Sequence, residues 1–292
     1  MPELPEVEVI RRGLNSILPG RVIKAVDFNW AKTFPNSQAD VSKFLINAKV
    51  KNIARRAKLI VINLDSDYSL LIHLKMTGQL VFRSSELQFG AGHPTASLTG
   101  HLPDKSTRVT INFKDGSQLF FNDQRKFGWM LLLPTKALRL HSLYGRLGPE
   151  PLAPDFTAKV LKERLARRAN SSIKAALLDQ SVIAGVGNIY ADESLWGAKI
   201  HPATIVKNLS PQRITKLQAE LINILKLAIK KGGSTDRNYV NAEGKSGSYL
   251  SFARVFRREG QPCPRCGRTI KKIRVAGRGT HYCPHCQRLK IK

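Results

Sequence analysis

Four cysteines, Cys263, Cys266, Cys283 and Cys286, stand within the last thirty residues as CPRC, sixteen intervening residues, then CPHC. Each C-x2-C puts two sulfurs on one tight knuckle, and two knuckles at this separation complete a tetrahedral thiolate shell for one Zn²⁺. Four thiolates leave no open coordination position, so the implied metal is structural, not catalytic. A redox C-x2-C or a disulfide pair is the alternative, and both the spacing and the reducing compartment expected below disfavour it. His281 and His285 flank the second knuckle without being needed as ligands; they are expected to be exposed or to face a nucleic acid. At the other end, the chain opens MPELPEVE. Removal of Met1 would leave Pro2 with a secondary α-amine, whose pKa of about 7.7–8.0, against about 10.4 for lysine, leaves a usable neutral fraction near pH 7. Such an amine is a nucleophile. Glu3 and Glu6 lie beside it, either as proton carriers or as carboxylates that complement a helix N-terminus.

Lys and Arg number 48 against 21 Asp and Glu, a net charge of +27 over 292 residues. That excess points to a polyanionic partner, and nucleic acid comes first because phosphate contacts draw in a strongly basic surface. A membrane surface is the rival. No stretch approaches the ~18 apolar residues of a spanning helix, and the acidic start is unlike a signal peptide, so a cytoplasmic protein is expected. Two nucleotide motifs fail on inspection. Gly244-Lys245-Ser246 has Tyr239 where a P-loop needs its first glycine, and Gly185-Val186-Gly187 has Tyr190 where a dinucleotide fingerprint needs its third. No nucleotide cofactor is indicated.

The elements that must position these residues fall into sections of different rhythm. Val7, Ile10, Leu14 and Ile17 recur at helical spacing until Gly20. Short apolar or alternating runs follow at 58–64, 69–74, 79–83, 107–113, 117–122 and 128–133, with an Asp115-Gly116 hairpin turn between two of them, and predict an antiparallel sandwich or barrel. Residues 84–106 read as a long polar loop. After the proline-rich 148–156 the pattern turns helical at 160–168, 172–180, 188–198 and 210–232; the last helix has Ser210 as N-cap and Pro211 at its first position. Residues 232–252 are Gly/Ser/Asn-rich and predict a loop, or a hairpin at most.

Six patches, PELPEVE, RRAKL, HLKMTG, NDQRKFG, GVGNIYADE and GRGTHYC, occur in this order along nearly the whole chain, which thereby resembles the formamidopyrimidine-DNA glycosylase family. The resemblance implies an α+β multidomain fold: an N-terminal helix plus antiparallel β-sandwich (1–135), a hinge (136–153), a helix-two-turn-helix domain (154–257) with a lesion-capping loop near 234–249, and a C-terminal zinc finger (258–292). It implies a monomeric base-excision enzyme that removes oxidised purines from double-stranded DNA and cleaves the resulting abasic site. The opening PELPEVE, with Leu4, is similar to the oxidised-purine branch; the related endonuclease VIII branch typically reads PEGPE and favours oxidised pyrimidines. A zinc-ribbon DNA binder without enzymatic activity is the third possibility, and the intact Pro2-Glu3 pair speaks against it.

Site residues are carried over by the same resemblance. Pro2 is the nucleophile, Glu3 the proton carrier and Glu6 a second carboxylate. Met76, Arg125 and Phe127 fill the space left by an extruded nucleotide, a cost of a few kcal/mol in unstacking that such wedges offset. Lys58, His73, Asn188 and Arg278 meet phosphates, with Lys174 a weaker candidate, and Lys58 and Arg278 also count with Pro2, Glu3 and Glu6 in the catalytic set. Pattern alone reads Met76 and Phe127 as core residues and His73 equally well as a buried strand histidine. Arg278 lies between the knuckles in a stretch, 260–292, that carries nine Lys or Arg and no acid. Ser106 stands where many relatives have a histidine.

Overall fold

Helix α1 (Leu4–Ile17) buries Val7, Ile10 and Leu14, the face its apolar spacing requires, and Gly20 at φ +88° turns the chain out of it. In the computed structural model, which describes residues 1–93, 95–234 and 249–289, the chain divides into two compact units: Met1–Gly145 with Lys231–Ser248, and Arg146–Lys230 with Tyr249–Lys292. Residues 235–248 of the expected capping loop lie outside the described residues.

In the first unit two antiparallel sheets share one core. One is five-stranded, in the order β1 (Ile23–Phe28), β7 (Thr107–Phe113), β8 (Gln118–Asp123), β5 (Gly78–Arg83), β6 (Gln88–Gly92). The other is four-stranded: β2 (Val50–Arg56), β3 (Leu59–Leu64), β4 (Tyr68–His73), β9 (Trp129–Pro134). Alternate residues of each, Ile60, Ile62, Leu70 and Ile72 against Leu80, Phe82, Ile111, Phe113 and Phe121, meet in that core with the apolar face of α1. A short helix α2 (Gln38–Asp40), running into a π turn (Val41–Leu45), and α3 (Ser142–Gly145) complete the unit.

Two departures from the sequence expectations have local causes. Strands β1 and β2 each carry a register shift, between Ile23 and Ala25 and between Val50 and Asn52, which breaks their alternation. The stretch 84–106, expected as loop, contains β6 and a 3-10 turn (Ala96–Leu98), because Phe89, Ala91 and Leu98 supply buried side chains to its turns. The hairpin at Asp115-Gly116 forms as expected, with Gly116 at φ +83°.

The second unit holds α4 (Ala158–Ala166), α5 (Ile173–Leu178), α6 (Asn188–Gly197) and α7 (Pro211–Lys230). Thr157 and Ser172 cap α4 and α5 through their hydroxyls. Helix α6 is buried almost all round, while α7 buries only Ile214, Leu217, Leu221, Ile224, Leu225 and Ala228 along one stripe. Strands β10 (Lys271–Val275) and β11 (Arg278–Tyr282) form a hairpin whose two turn residues, Ala276 and Gly277, both have left-handed backbone. No described helix is long and apolar enough to cross a membrane.

Candidate active site

The N-terminus is built around two buried carboxylates. Glu3 is the N-cap of α1, and Glu6 Oε2 accepts its backbone N–H at 2.8 Å, closing a capping-box turn. Glu6 Oε1 accepts the backbone N–H of Ser234 at 2.7 Å, and Gly233 lies so close that an added Cβ would stand 3.1 Å from that oxygen. Glu6 therefore ties the first helical turn to the segment that follows Lys231 within the same unit. Glu3 and Glu6 are 4% and 7% exposed, and Pro2 beside them is half-buried.

A cation in a turn and an imidazole on a strand lie near each other. Lys58 is in the two-residue turn between β2 and β3, and Leu59 pairs with His73 at the end of β4. Both side chains are buried. Burial, with Lys75 and Lys58 nearby, pushes the His73 imidazole down to about 3. Its Nδ1 accepts the Lys75 backbone N–H at 2.9 Å, so the neutral ring carries its proton on Nε2 and can only donate from there.

Two loops that cross between the sheets carry the apolar candidates. The 74–77 loop presents Met76, 41% exposed, and the 124–128 loop presents Phe127, 54% exposed, with the Arg125 guanidinium 4.8 Å from the Phe127 ring centre. Both side chains that pattern alone reads as core are thus on the surface.

In the second unit the four cysteine sulfurs lie within 4.8 Å of one another, with Cys263–Cys286 at 4.0 Å and Cys266–Cys283 at 3.5 Å. A tetrahedron with Zn–S of about 2.3 Å has edges of about 3.8 Å, so the quartet fits a zinc ion. Burial and the neighbouring Cys266 and Cys283 sulfurs push Cys286 up to about 12. Burial opposes ionisation of Cys263 too, but the Arg265 amide and the Trp196 indole N–H outweigh it and bring that thiol down to about 6. A divalent cation is what would hold all four as thiolates. His281 is buried, its backbone N–H donating to Asp192, which corrects the expectation of an exposed ring; His285 is exposed.

Three family models match the chain: the formamidopyrimidine-DNA glycosylase N-terminal domain over residues 1–130, the formamidopyrimidine-DNA glycosylase H2TH domain over 147–239, and a zinc finger found in FPG and IleRS over 260–289. The formamidopyrimidine-DNA glycosylase of Pelotomaculum thermopropionicum is 40% identical over 291 residues, 99% of this chain and 100% of its own. The chain belongs to the formamidopyrimidine-DNA glycosylase family. The Chloroflexus aurantiacus glycosylase is 41% identical over 98% of each chain. Lactococcus lactis Fpg, solved in complex with a DNA containing an abasic site, superimposes with a TM-score of 0.86 at 36% identity, over 98% of this chain and 100% of that one. This family member is accordingly a base-excision DNA glycosylase and abasic-site lyase, with one structural zinc held by Cys263, Cys266, Cys283 and Cys286.

Within this glycosylase the second unit brings Asn188 and Arg278 close: Asn188 Nδ2 donates to the carbonyl of Gly279, the residue after exposed Arg278, at 3.0 Å. Lys174 is a correction. It is fully buried, and its ammonium donates to Asp192 Oδ1 at 2.6 Å, Thr280 Oγ1 at 2.7 Å and Gly279 O at 3.2 Å, so it holds the zinc hairpin to α5 and α6 and has no face for a phosphate. Two neighbouring acids of α6 carry no role in the sequence pattern. Asp192 Oδ2 accepts the His281 N–H at 2.9 Å, and Glu193 accepts the N–H groups of Arg254, Val255 and Phe256 within 3.0 Å. Both acids lie in the GVGNIYADE patch; a carboxylate on a helix reads as surface until its fully buried position is known. Ser106 is also buried, its hydroxyl donating to Asp104 at 2.6 Å.

Proposed function

We propose that this glycosylase removes oxidised purines, 8-oxoguanine and formamidopyrimidines, from duplex DNA and cleaves the abasic strand by β,δ-elimination through an imine on Pro2. The observation that carries the reading is a proline at position 2 next to two buried carboxylates in one capping turn. With Met1 removed, the Pro2 nitrogen lone pair attacks C1′ of the extruded nucleotide, and the glycosidic C–N bond breaks with its electron pair leaving on the base, which takes up a proton. Loss of the Pro2 N–H proton and opening of the C1′–O4′ bond give an iminium, with Glu3 protonating O4′. The iminium acidifies C2′; loss of a C2′ proton expels the 3′ phosphate, a further proton loss expels the 5′ phosphate, and water hydrolyses the imine to return the amine. Glu6 orients the turn.

Met76, Arg125 and Phe127 fill the vacated stack and meet the orphaned base. Lys58, His73, Asn188 and Arg278 meet phosphates; for His73, the Nε2 proton supports a donor role. The functional partition is 1–135, a hinge at 136–153, 154–257 and 258–292, acting as a cytoplasmic monomer. The relatives' complexes support the substrate class, since Lactococcus lactis Fpg has been solved with an abasic-site DNA and with an N7-benzyl-Fapy-dG containing DNA, and a point mutant of it with a Fapy-dG containing DNA. It has also been solved with an oxidised pyrimidine, so the pyrimidine reading enters the test. Borohydride is added to the enzyme with 8-oxoguanine and thymine glycol duplexes. Stronger trapping on 8-oxoguanine, with the label on Pro2 in the digested adduct, is expected; a label on Lys58, or stronger trapping on thymine glycol, refutes the corresponding part.

A further inference from the structure

The two loops that carry Met76 and Phe127 are built as a pair. Strand β4 leaves the four-stranded sheet at His73 and β5 enters the five-stranded sheet at Gly78; β8 leaves the latter at Asp123 and β9 enters the former at Trp129. Because Gly78 pairs with Asp123 and His73 pairs with Trp129, the two crossings run side by side. Between them lies Asp123, fully buried. Its Oδ1 accepts the Thr77 hydroxyl of one loop and the Arg125 N–H of the other, at 3.2 Å for the latter, and its Oδ2 accepts the Gly128 N–H at 2.6 Å. The Arg125 N–H also reaches Thr77 Oγ1 at 3.2 Å. Behind it, Arg108 Nε donates to the Asp123 carbonyl at 3.0 Å, and the Asp123 N–H donates to Ser106 O at 2.8 Å. Neither loop base has slack: a Cβ on Gly78 would stand 2.4 Å from Leu74 O, and one on Gly128 would stand 2.8 Å from the Phe121 ring. The bases are buried and hydrogen-bonded while the tips, Met76 and Phe127, are exposed.

We propose that Thr77 and Asp123 are positioning residues that lock the 74–77 and 124–128 loops into one preassembled wedge, so that Met76 and Phe127 enter the vacated stack together; this rests on the reading of those two side chains given above. Hydrogen bonds to a buried carboxylate are the strong kind, and the Thr77 hydroxyl makes the cross-loop one while also accepting the Arg125 N–H. Without it each loop has to be ordered separately when DNA binds, at the expense of preorganisation.

Thr77→Val, Thr77→Ser and Phe127→Ala are compared on an 8-oxoguanine duplex, with 2-aminopurine beside the lesion as a stacking reporter, and on a single-stranded oligonucleotide with a preformed abasic site, where no stack has to be filled. Thr77→Val is expected to lower duplex excision about tenfold, as loss of a hydrogen bond to a charged group does, and to weaken the fluorescence change. Single-stranded cleavage should fall far less, and Thr77→Ser should restore the duplex rate. An equal loss on both substrates would mean a merely structural hydroxyl and would overturn the proposal. Wild-type duplex excision by Thr77→Val, with Phe127→Ala impaired, overturns the coupling but leaves the wedge reading standing. Wild-type excision by Phe127→Ala overturns both.

Discussion

At the residue scale the chemistry depends on which groups hold protons. Glu3 is assigned the proton for O4′, so Glu3→Gln should lower excision of 8-oxoguanine by about 10²-fold or more while slowing cleavage of a preformed abasic site much less, a difference read by comparing single-turnover rates on the two substrates. Pro2→Gly keeps an α-amine but makes it primary and loosely aimed; trapped adduct should drop sharply while DNA affinity in a binding titration stays the same. For His73 the sign is set by burial. Its folded value, about 3, lies below the ordinary 6.5, so the folded unit binds fewer protons than the unfolded chain between these values. Stability conferred by the neutral ring is complete above 6.5 and declines as pH falls toward 3. His73→Gln should therefore flatten the loss of thermal stability over that window, and an unchanged pH profile of the melting temperature would count against the buried neutral imidazole.

At the scale of elements, the zinc hairpin is held at two places, by metal and by an ion pair. The small core around it, Trp196, Val255, Cys263, Ile270 and Cys283, is too thin to persist without the ion. Chelation or Cys263→Ser should unfold β10–β11 and change the fluorescence of Trp196, whose indole donates to Cys263 Sγ at 3.4 Å, while Trp30 and Trp129 of the other unit report no change. The hairpin's second hold is Lys174. Removing one partner of a fully buried pair leaves the other uncompensated, so Lys174→Met should cost about 3–5 kcal/mol in chemical denaturation of its unit. Loss of DNA binding with unchanged stability would return Lys174 to a phosphate-contact role.

For the whole molecule the net charge of +27 dominates association. Each phosphate neutralised releases counterions, so log K should fall with log salt at about −0.9 per contact, and Arg278→Ala should reduce that slope by ~1. Arg278 suits the role because it is exposed beside the hairpin turn, one residue from the Gly279 carbonyl that Asn188 holds. An Arg278→Ala slope equal to that of the wild type in salt-dependent binding titrations would place this arginine away from the DNA backbone.

What the sequence determined by itself is what depends on local order. The cysteine spacing specified a four-thiolate zinc shell, the period of Val7, Ile10 and Leu14 specified α1, and Ser210-Pro211 specified the start of α7, because knuckles, helix faces and caps are set by residues a few positions apart. Six ordered patches specified the family. Tertiary structure alone decided which polar side chains are buried and with whom. Lys174 read as a solvated helix lysine until Asp192, eighteen residues on, and Thr280, from the hairpin, were seen to enclose it. Asp123, in the NDQRKFG patch, has no role legible in sequence because its partner Thr77 is forty-six residues away and is brought to it only by the pairing of β5 with β8. The cost of burying a charge depends on partners that the register of distant strands supplies, and short-range pattern carries no record of that register.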